Sequence, residues 1–463
     1  MHPQGKQTVC LLIFHGSKIL FMTKEKATLQ RSLTPLMLWG LGVGYVISGM
    51  YFGWNLGLAE GGTLGMAIAT VVVAIMYITF TLGYTELACA IPKAGGAFDY
   101  ANRALGKRLG FLGGVAQIIE FVFAPPAIAY AIGAYVHLFL PSIPIIGIAM
   151  VAYLLFTAIN IWGIKMAASF ELIVTIVAVI ELLVFSAAAM PHIELANLTH
   201  NALPNGWAGV FAATPFAIWF FLAIEGLANV AEETINPQRN MIVGFGAAMA
   251  TLLLLCLLTF VSAVGVGGWE GAVFDAAGNK SDSPLPLVMS HAVGTGHWLY
   301  KIVGGVGLFG LVASFHGIIL AAGRATFEFG RMSYIPPIFG KVHPSFRTPA
   351  NALLINMVVG IIALLTNRTG DIITLSCFGA LTLYAVAMWS LFALRRNEPN
   401  LVRPFRTPFY PFFPAIALFI ALVSLAAMTY YNLRLAGIYV LMVAVGYIYY
   451  LVRDVDDIKT SEL

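Results

Sequence analysis

The stretch ISGM at residues 47–50 interrupts the first long apolar segment of this chain, and AIEG at residues 223–226 interrupts the sixth at a matching place. In a bilayer each unpaired backbone N–H or C=O group is costly, so helix-breaking residues persist at mid-depth only where the freed groups meet a ligand or water. The two interruptions therefore predict two broken transmembrane helices with a binding site between them, a pattern typical of secondary transporters.

The composition of the chain predicts an all-α integral membrane protein. Hydrophobic residues make up 60% of the 463 residues, charged residues make up 10%, and the mean hydropathy is +0.87. Windows of about 20 apolar residues predict spans. The twelve predicted spans cover residues 33–57, 63–90, 109–139, 143–162, 169–190, 207–231, 241–267, 299–323, 350–366, 371–394, 411–430 and 435–452. We therefore expect one transporter domain over residues 33–452, between tails at 1–32 and 453–463.

The distribution of basic residues predicts the orientation of these spans. Of the 25 Lys and Arg residues, 21 fall on the side of the two tails, and the four others are Lys280, Lys301, Arg368 and Arg434. Because Lys and Arg near span ends collect in the cytoplasm, both termini are expected there. The net charge of +4 is thus a topology signal and does not indicate nucleic-acid binding. Met22, just before the first span, is an alternative start to Met1.

No motif in the sequence indicates an enzyme, a nucleotide-driven pump or a metal site. The four cysteines are far apart, the nine histidines are scattered, and the spans carry no H-E-x-x-H, P-loop or G-x-S-x-G pattern. We therefore expect no catalytic residues, no cofactor and no metal.

Grouping the spans as five plus five plus two places each interruption in the first helix of a five-helix half, as an inverted repeat requires. Repeat one covers residues 33–190, repeat two covers 207–394, and two further helices occupy 411–452. A helix break exposes N–H groups at one new end and carbonyl groups at the other. An amine and a polar group can both be held between such ends.

Several motifs carry a resemblance to a known family. They are ISGMY at 47–51, ELA at 86–88, PKAGGAF at 92–98, the stretch 219–240 ending in AEETINPQRN, and the stretch 323–349. From about Leu33 onward the chain resembles the amino acid, polyamine and organocation permease superfamily. The sequences of residues 47–55 and of EFVFAPPA at 120–127 most closely resemble those of the bacterial ethanolamine permeases. The resemblance implies import of ethanolamine into a bacterial cell across its inner membrane by alternating access, with helices 1 and 6 rocking against helices 3, 4, 8 and 9.

One departure from the superfamily pattern supports this branch. Amino acid permeases of the superfamily usually carry glycine before the Ser-Gly of helix 1, and this chain has Ile47. A β-branched residue restricts the backbone freedom that is needed to curl N–H groups around a carboxylate. Ethanolamine, a short cation with a hydroxyl group in place of the acid, does not need that arrangement.

The predicted substrate site combines both interruptions with part of the third span. Glu225 is the leading carboxylate, with either a substrate or proton contact or a structural hydrogen bond as its role, because intramembrane acids are expensive and commonly functional. By resemblance, Trp219 serves as a lid that offers a cation–π face, although packing in the bundle is the alternative. The complete predicted set is Ser48, Gly49, Met50, Phe123, Ala124, Trp219, Ala223, Glu225 and Gly226.

Three residues are candidates for proton coupling: Glu120, Glu225 and His316. Glu120 lies about one turn from Phe123 and Ala124, which the resemblance places at the pocket wall, and histidine is a common proton carrier. For Glu120 and His316 the alternative is a structural hydrogen-bonding or packing role. Proton symport and uniport driven by the membrane potential both remain open, as does the oligomeric state.

Other functions compatible with the sequence are transport of another small amine or amino acid, a ligand-binding membrane sensor, an ion channel and a membrane enzyme. Competition by alanine would separate the first of these from ethanolamine transport, because alanine carries a carboxylate. A carrier saturates and shows counterflow, whereas a channel passes ohmic current. Product analysis would reveal an enzyme.

Overall fold

The computed structural model describes residues 31–93, 95–162 and 167–452. The predicted tails, apart from Arg31 and Ser32, lie outside the described residues, and so do both candidate start positions. The described residues form seventeen α-helices with short 3-10 segments, and β-structure within these ranges is limited to two isolated bridges.

The first seven helices cover the first five predicted spans. Their bounds are α1 Pro35–Val46, α2 Ser48–Tyr51, α3 Trp54–Ala90, α4 Ala97–Leu105, α5 Lys107–His137, α6 Ile145–Trp162 and α7 Ala167–Ala189.

The remaining helices begin with three short segments and then follow the predicted spans. They are α8 Leu195–Thr199, α9 Gly206–Ala212, α10 Thr214–Trp219, α11 Pro237–Val273, α12 Pro284–Val293, α13 Trp298–Arg331, α14 Ala350–Leu364, α15 Thr369–Asn397, α16 Phe412–Tyr431 and α17 Leu433–Val452. Two 3-10 helices, Ile224–Glu233 and Pro337–Gly340, lie among them.

These elements confirm the all-helical membrane fold. Within the part of the chain that the structure describes, ten helical segments are long and apolar enough to cross a membrane. The first span consists of α1, α2 and the start of α3, and Gly62, with φ 65°, separates it from the second span within α3. The ninth span is α14, which at 15 residues is shorter than the ten long segments.

The first interruption lies later in the chain than the sequence indicates. Ile47 has φ −60° and ψ −22°, so the backbone stays helical through Tyr51. The chain then opens at Phe52, which is extended, and at Gly53, which has φ 86°. A left-handed φ costs glycine little, because it has no Cβ, and this explains why the break falls there and not at the β-branched Ile47.

The second interruption lies between α10 and the 3-10 segment that follows it. Helix α10 ends at Trp219, and Ala223 takes a left-handed conformation with φ 78°. From Ile224 to Glu233 the chain continues as a 3-10 helix. The sequence-based position, residues 223–226, thus covers the end of the interruption and the first 3-10 turn.

Contacts between chain segments define two ends of the bundle. The Arg-rich face consists of residues 91–93, 95–106, 232–240, 332–349 and 398–411, and the opposite face consists of 138–144, 190–205, 274–297 and 365–368. At the Arg-rich face the N–H groups of Ser32 and Leu33 donate to Glu233 O at 2.9 and 3.0 Å, and Ile235 N–H donates to Leu33 O at 3.0 Å. The start of the first broken helix is therefore joined to the end of the second.

Helix α5 lies at the centre of the bundle. It packs against α13, α15, α6 and α14. Apolar side chains on the outside of the bundle, such as Val71, Val151 and Ile173, are more than half exposed, as expected of residues that face lipid.

Candidate functional site

The backbones of the two interrupted helices touch at Gly49. A Cβ added at this position would lie 2.3 Å from Trp219 O and 3.0 Å from Phe220 Cα. Real Cβ atoms do not come this close to backbone atoms, so no other residue permits the observed approach. Gly49 thus brings the two breaks together, as the predicted site requires.

The backbone donors around the first break already have partners inside the protein. Ser314 on α13 joins α1 to α2. Its Oγ accepts a hydrogen bond from Ser48 N–H and donates one to Gly44 O at 2.6 Å. The donor–acceptor pairs are Ile47 N–H to Val43 O (2.9 Å), Ser48 N–H to Ser314 Oγ (2.9 Å), Met50 N–H to Ile47 O (2.9 Å), Phe52 N–H to Ser48 O (3.2 Å) and Gly53 N–H to Asn55 Oδ1 (3.1 Å). These five N–H groups are not free to bind a carboxylate.

Two acids meet beside the second break. The carboxyl groups of Glu120 and Glu225 interact side chain to side chain, and both residues are 0% exposed. Both carboxyl oxygens of Glu120 and the Oε1 of Glu225 have no hydrogen-bond partner among the described residues. Adjacent carboxylates repel each other when both are ionised, and a buried charge needs a partner. The pair is satisfied when a proton or a cationic ligand lies between the two groups.

A chain of phenol groups completes the surroundings of Glu225. Tyr384 on α15 donates to Glu225 Oε2 at 3.0 Å, and its oxygen lies 2.9 Å from that of Tyr77 on α3. Tyr77 in turn donates to Ile218 O at 3.4 Å. Helices α3 and α15 are therefore both connected to the second break.

The Trp219 ring closes the site on the side of the opposite face. It meets Phe52 edge to face at a centroid distance of 5.4 Å, and a Cβ on Gly53 would lie 2.6 Å from two of its ring atoms. Trp219 is 2% exposed, and its Nε1 has no hydrogen-bond partner in the part of the chain that the structure describes. The site is therefore shut off from solvent.

The other predicted site residues differ in their surroundings. Met50, Ala124, Ala223 and Gly226 are buried, whereas Phe123 is half-buried. The helix α5 side chain that approaches Gly226 is Phe121, whose ring atom would lie 3.6 Å from a Cβ at that position.

The structure does not bring His316 together with the two acids. His316 on α13 pairs with Glu171 on α7, with 3.4 Å between Nδ1 and Oε2, and both side chains are buried. The Tyr45 ring lies between the two sites, because it would touch a Cβ on Gly226 from one side and a Cβ on Gly317 from the other. His316 and Glu171 therefore form a separate buried pair behind the first broken helix.

Sequence reasoning missed two partners of the breaks. Tyr51, at the end of α2, donates to Glu181 Oε2 at 2.6 Å and lies 2.9 Å from Ala178 O. Tyr384 is the second, and nothing in its apolar segment distinguishes it from a packing residue. The Tyr51–Glu181 contact could have been found from Glu181, since a carboxyl group within a span points to function or to a specific partner.

The described residues contain no group of three or more His, Cys, Asp and Glu side chains able to hold a metal ion. The site is instead a buried acid pair formed by the second broken helix and α5, inside a bundle of membrane-spanning helices. This combination defines a membrane transporter for small molecules.

The comparisons with known proteins identify the family. The family model described as amino acid permease matches residues 33–452, so this chain belongs to the amino acid permeases. An uncharacterized transporter of Rhizobium meliloti is 28% identical to this chain over 86% of each protein. The methylthioribose transporter of Bacillus subtilis is 28% identical over 92% of this chain and 94% of its own length. A branched-chain amino acid permease of the same bacterium is 25% identical over 87% and 89%.

Proposed function

We propose that this permease imports ethanolamine, or a closely similar small cationic amine, by alternating access. The observation that carries the proposal is the acid pair Glu120–Glu225, which lies beside the second break without a cationic partner among the described residues. An ammonium group supplies the positive charge and the N–H donors that the pair lacks. The predicted residues of both breaks form the walls of this site, and Trp219 acts as its lid.

The hydrogen-bonded N–H groups at the first break favour an amine without a carboxylate as the substrate. An amino acid would need donors for its acid group, and five backbone donors from Ile47 to Gly53 have partners within the protein. The second candidate substrate class is a small amino acid. It is favoured by the branched-chain amino acid permease among the relatives.

For the direction of transport we propose that the Arg-rich face lies in the cytoplasm of a bacterial cell, with both termini on that side. A membrane potential, negative inside, then favours entry of one positive charge by about 2.3 kcal/mol per 100 mV, or about fifty-fold accumulation. If the substrate takes the place of the proton shared by Glu120 and Glu225, potential-driven uniport is sufficient. If the proton travels with the substrate, the carrier is a symporter.

The test is uptake of radiolabelled ethanolamine into proteoliposomes with an imposed inside-negative potential, with and without a pH gradient. We expect saturable uptake in the wild type and a loss of at least about 30-fold in Glu225→Gln, because removing one partner of a buried charged contact costs about 2–5 kcal/mol. The matched control is Glu194→Gln, the same change at an exposed acid of the opposite face, which should leave uptake unchanged.

Alanine competition distinguishes the two substrate classes. For an amine carrier we expect no inhibition by excess alanine, because five backbone N–H groups at the first break already have partners and the Glu120–Glu225 pair repels a carboxylate. A well-folded wild type that takes up alanine and ignores ethanolamine would overturn the proposal and favour the amino acid alternative. An ethanolamine flux that rises linearly without saturation would indicate a channel.

A further inference from the structure

A second acid without a cationic partner lies at the opposite face, in the segment Ser281–Ser283 that precedes α12. Asp282 Oδ2 accepts a hydrogen bond from Thr369 Oγ1 at the long distance of 3.4 Å. Its Oδ1 is closed off from solvent and has no hydrogen-bond partner within residues 31–93, 95–162 and 167–452. Burial raises the pKa of Asp282 to about 7, and the Thr369 hydrogen bond opposes this rise.

The charged groups around Asp282 do not neutralise it. In its own segment Lys280 pairs with Glu60 of α3 at 3.4 Å, and at the start of α15 Arg368 pairs with Asp371 at 3.2 Å. From α5, the titratable group that faces Asp282 is the phenol of Tyr130. A carboxylate with one oxygen closed off from solvent, while the neighbouring cations are paired elsewhere, is a site for a cation from outside the protein.

The segment is also joined to the first break. Asn55 Nδ2 donates to Ser281 O at 2.8 Å, and Asn55 Oδ1 accepts from Gly53 N–H at 3.1 Å, directly beside the Trp219 ring. The Tyr135 hydroxyl, which lies near the Leu285 backbone, donates to Tyr51 O at 2.9 Å. A cation bound at Asp282 is therefore linked through Ser281 and Asn55 to Gly53 at the first break.

We propose that Asp282 is an entry site, where the ammonium group of an organic amine binds on its way to the acid pair Glu120–Glu225. This inference rests on the proposed function for the identity of the amine. Asp282 Oδ1 supplies the counter-charge and the Tyr130 hydroxyl supplies a polar contact. Once Trp219 moves, the ammonium passes from Asp282 to the central acids.

The ionisation of Asp282 gives the entry site a defined pH dependence. The carboxyl group is neutral below its pKa of about 7 and attracts an ammonium only above it. Affinity for the amine through this site therefore rises as the pH increases from 5.5 to 8. For stability the sign is opposite, since the raised pKa of Asp282 makes the free energy of unfolding fall as the pH rises from about 4 to about 7, unless a cation is bound.

The transport test measures exchange of radiolabelled ethanolamine in proteoliposomes with the same pH on both sides, so that no proton gradient contributes. At pH 8 we expect Asp282→Asn to raise KM about tenfold with little change in kcat, and at pH 5.5 to have the same KM as the wild type. The matched control is Asp275→Asn, at an exposed position of the same face, which should match the wild type at both pH values. An Asp282→Asn variant that has the wild-type KM at pH 8, or an equal defect at both pH values, would overturn the entry site.

A second measurement separates this inference from the identity of the substrate. Methylammonium should raise the thermal midpoint of solubilised wild type more at pH 8 than at pH 5.5, and Asp282→Asn should remove this difference. If wild type does not transport ethanolamine but the Asp282-dependent shift is present, the proposed substrate is wrong and the cation site stands. If the difference persists in Asp282→Asn, or is absent from the wild type, the site is wrong regardless of transport.

Discussion

At the scale of single residues, Gly49 sets how closely the two broken helices approach. In Gly49→Ala the new methyl group would lie 2.3 Å from Trp219 O, so the breaks must separate. We expect Gly49→Ala to insert into the membrane like the wild type and to take up at least tenfold less ethanolamine, measured in proteoliposomes. Gly147→Ala is the control, because a Cβ there meets no atom within 4 Å, and alanine in a helix is favoured by about 1 kcal/mol over glycine. Wild-type uptake by Gly49→Ala would contradict the contact.

Tyr384 is the donor that Glu225 depends on when no substrate is bound. Tyr384→Phe removes the 3.0 Å hydrogen bond, and hydrogen bonds to charged groups contribute about 1.5–3 kcal/mol. We expect kcat/KM for ethanolamine to fall by at least about tenfold. Tyr77→Phe should have a smaller effect, since Tyr77 reaches Glu225 only through Tyr384. Equal defects in the two variants would show that the phenols act by packing alone.

The sequence identifies the acids of the site more readily than their partners. A carboxyl group within a span is conspicuous because its burial is costly, and so Glu120 and Glu225 can be selected as candidates without a structure. Tyr384 is 159 residues from Glu225 in the chain, and a tyrosine in an apolar helix resembles a packing residue. His316 is the reverse case. It is conspicuous in the sequence, but in the structure it pairs with Glu171 away from the acid pair.

At the scale of helices, the ion pair Glu233–Arg324 joins the second broken helix to α13 at the Arg-rich face. Glu233 and Arg324 approach to 2.7 Å, with side chains that are 22% and 24% exposed. Because Glu233 O also holds the start of the first broken helix, this pair connects both broken helices to α13. Opening of the Arg-rich face by movement of these helices requires its rupture.

A charge exchange tests this ion pair. Glu233→Arg and Arg324→Glu should each change the rate of ethanolamine exchange at least fivefold, because each variant places like charges opposite one another. The double variant should recover at least half of the wild-type rate, since it restores the attraction with the signs reversed. A double variant whose defect equals the sum of the two single defects would show that the residues do not interact in the transport cycle.

The spans follow from the sequence because hydropathy measures the dominant constraint on a chain in lipid. The exact point of each break does not follow, because it depends on a few backbone dihedral angles. Gly53 permits the first opening, whereas Ala223 adopts a left-handed conformation that alanine rarely takes without tertiary contacts. Those contacts come from Gly49 and α5, and no local pattern encodes them.

At the scale of the whole molecule, the buried acid Glu86 connects α3, α15 and the segment after α15 at the Arg-rich face. Glu86 of α3 forms two hydrogen bonds with Arg395 of α15, at 2.9 and 2.6 Å, and lies 3.3 Å from Arg403. Its Oε2 also accepts from the N–H and hydroxyl of Thr407, at 2.7 and 2.8 Å. The segment between α15 and α16 is thereby fixed to α3.

Loss of this acid should destabilise the fold more than loss of an exposed ion pair. Glu86→Gln leaves two guanidinium groups without their counter-charge, and breaking a buried pair costs about 3–5 kcal/mol. We expect a clear fall in the thermal midpoint of the solubilised protein. The comparison variant Arg103→Ala breaks the exposed pair with Glu398 and should cost about 0–1 kcal/mol. If both variants lower the midpoint equally, Glu86 is not a centre of stability.

The pairing of Leu33 with residues 233–235 also bears on how the protein is made. About 200 residues separate these partners, so at roughly 5–20 residues per second the ribosome needs about 10–40 s to deliver the second after the first. During that interval the first broken helix is in the membrane without the helix that covers its opening at Phe52 and Gly53. The insertion machinery or a neighbouring early span must occupy the surface around Gly49 that the sixth span later covers.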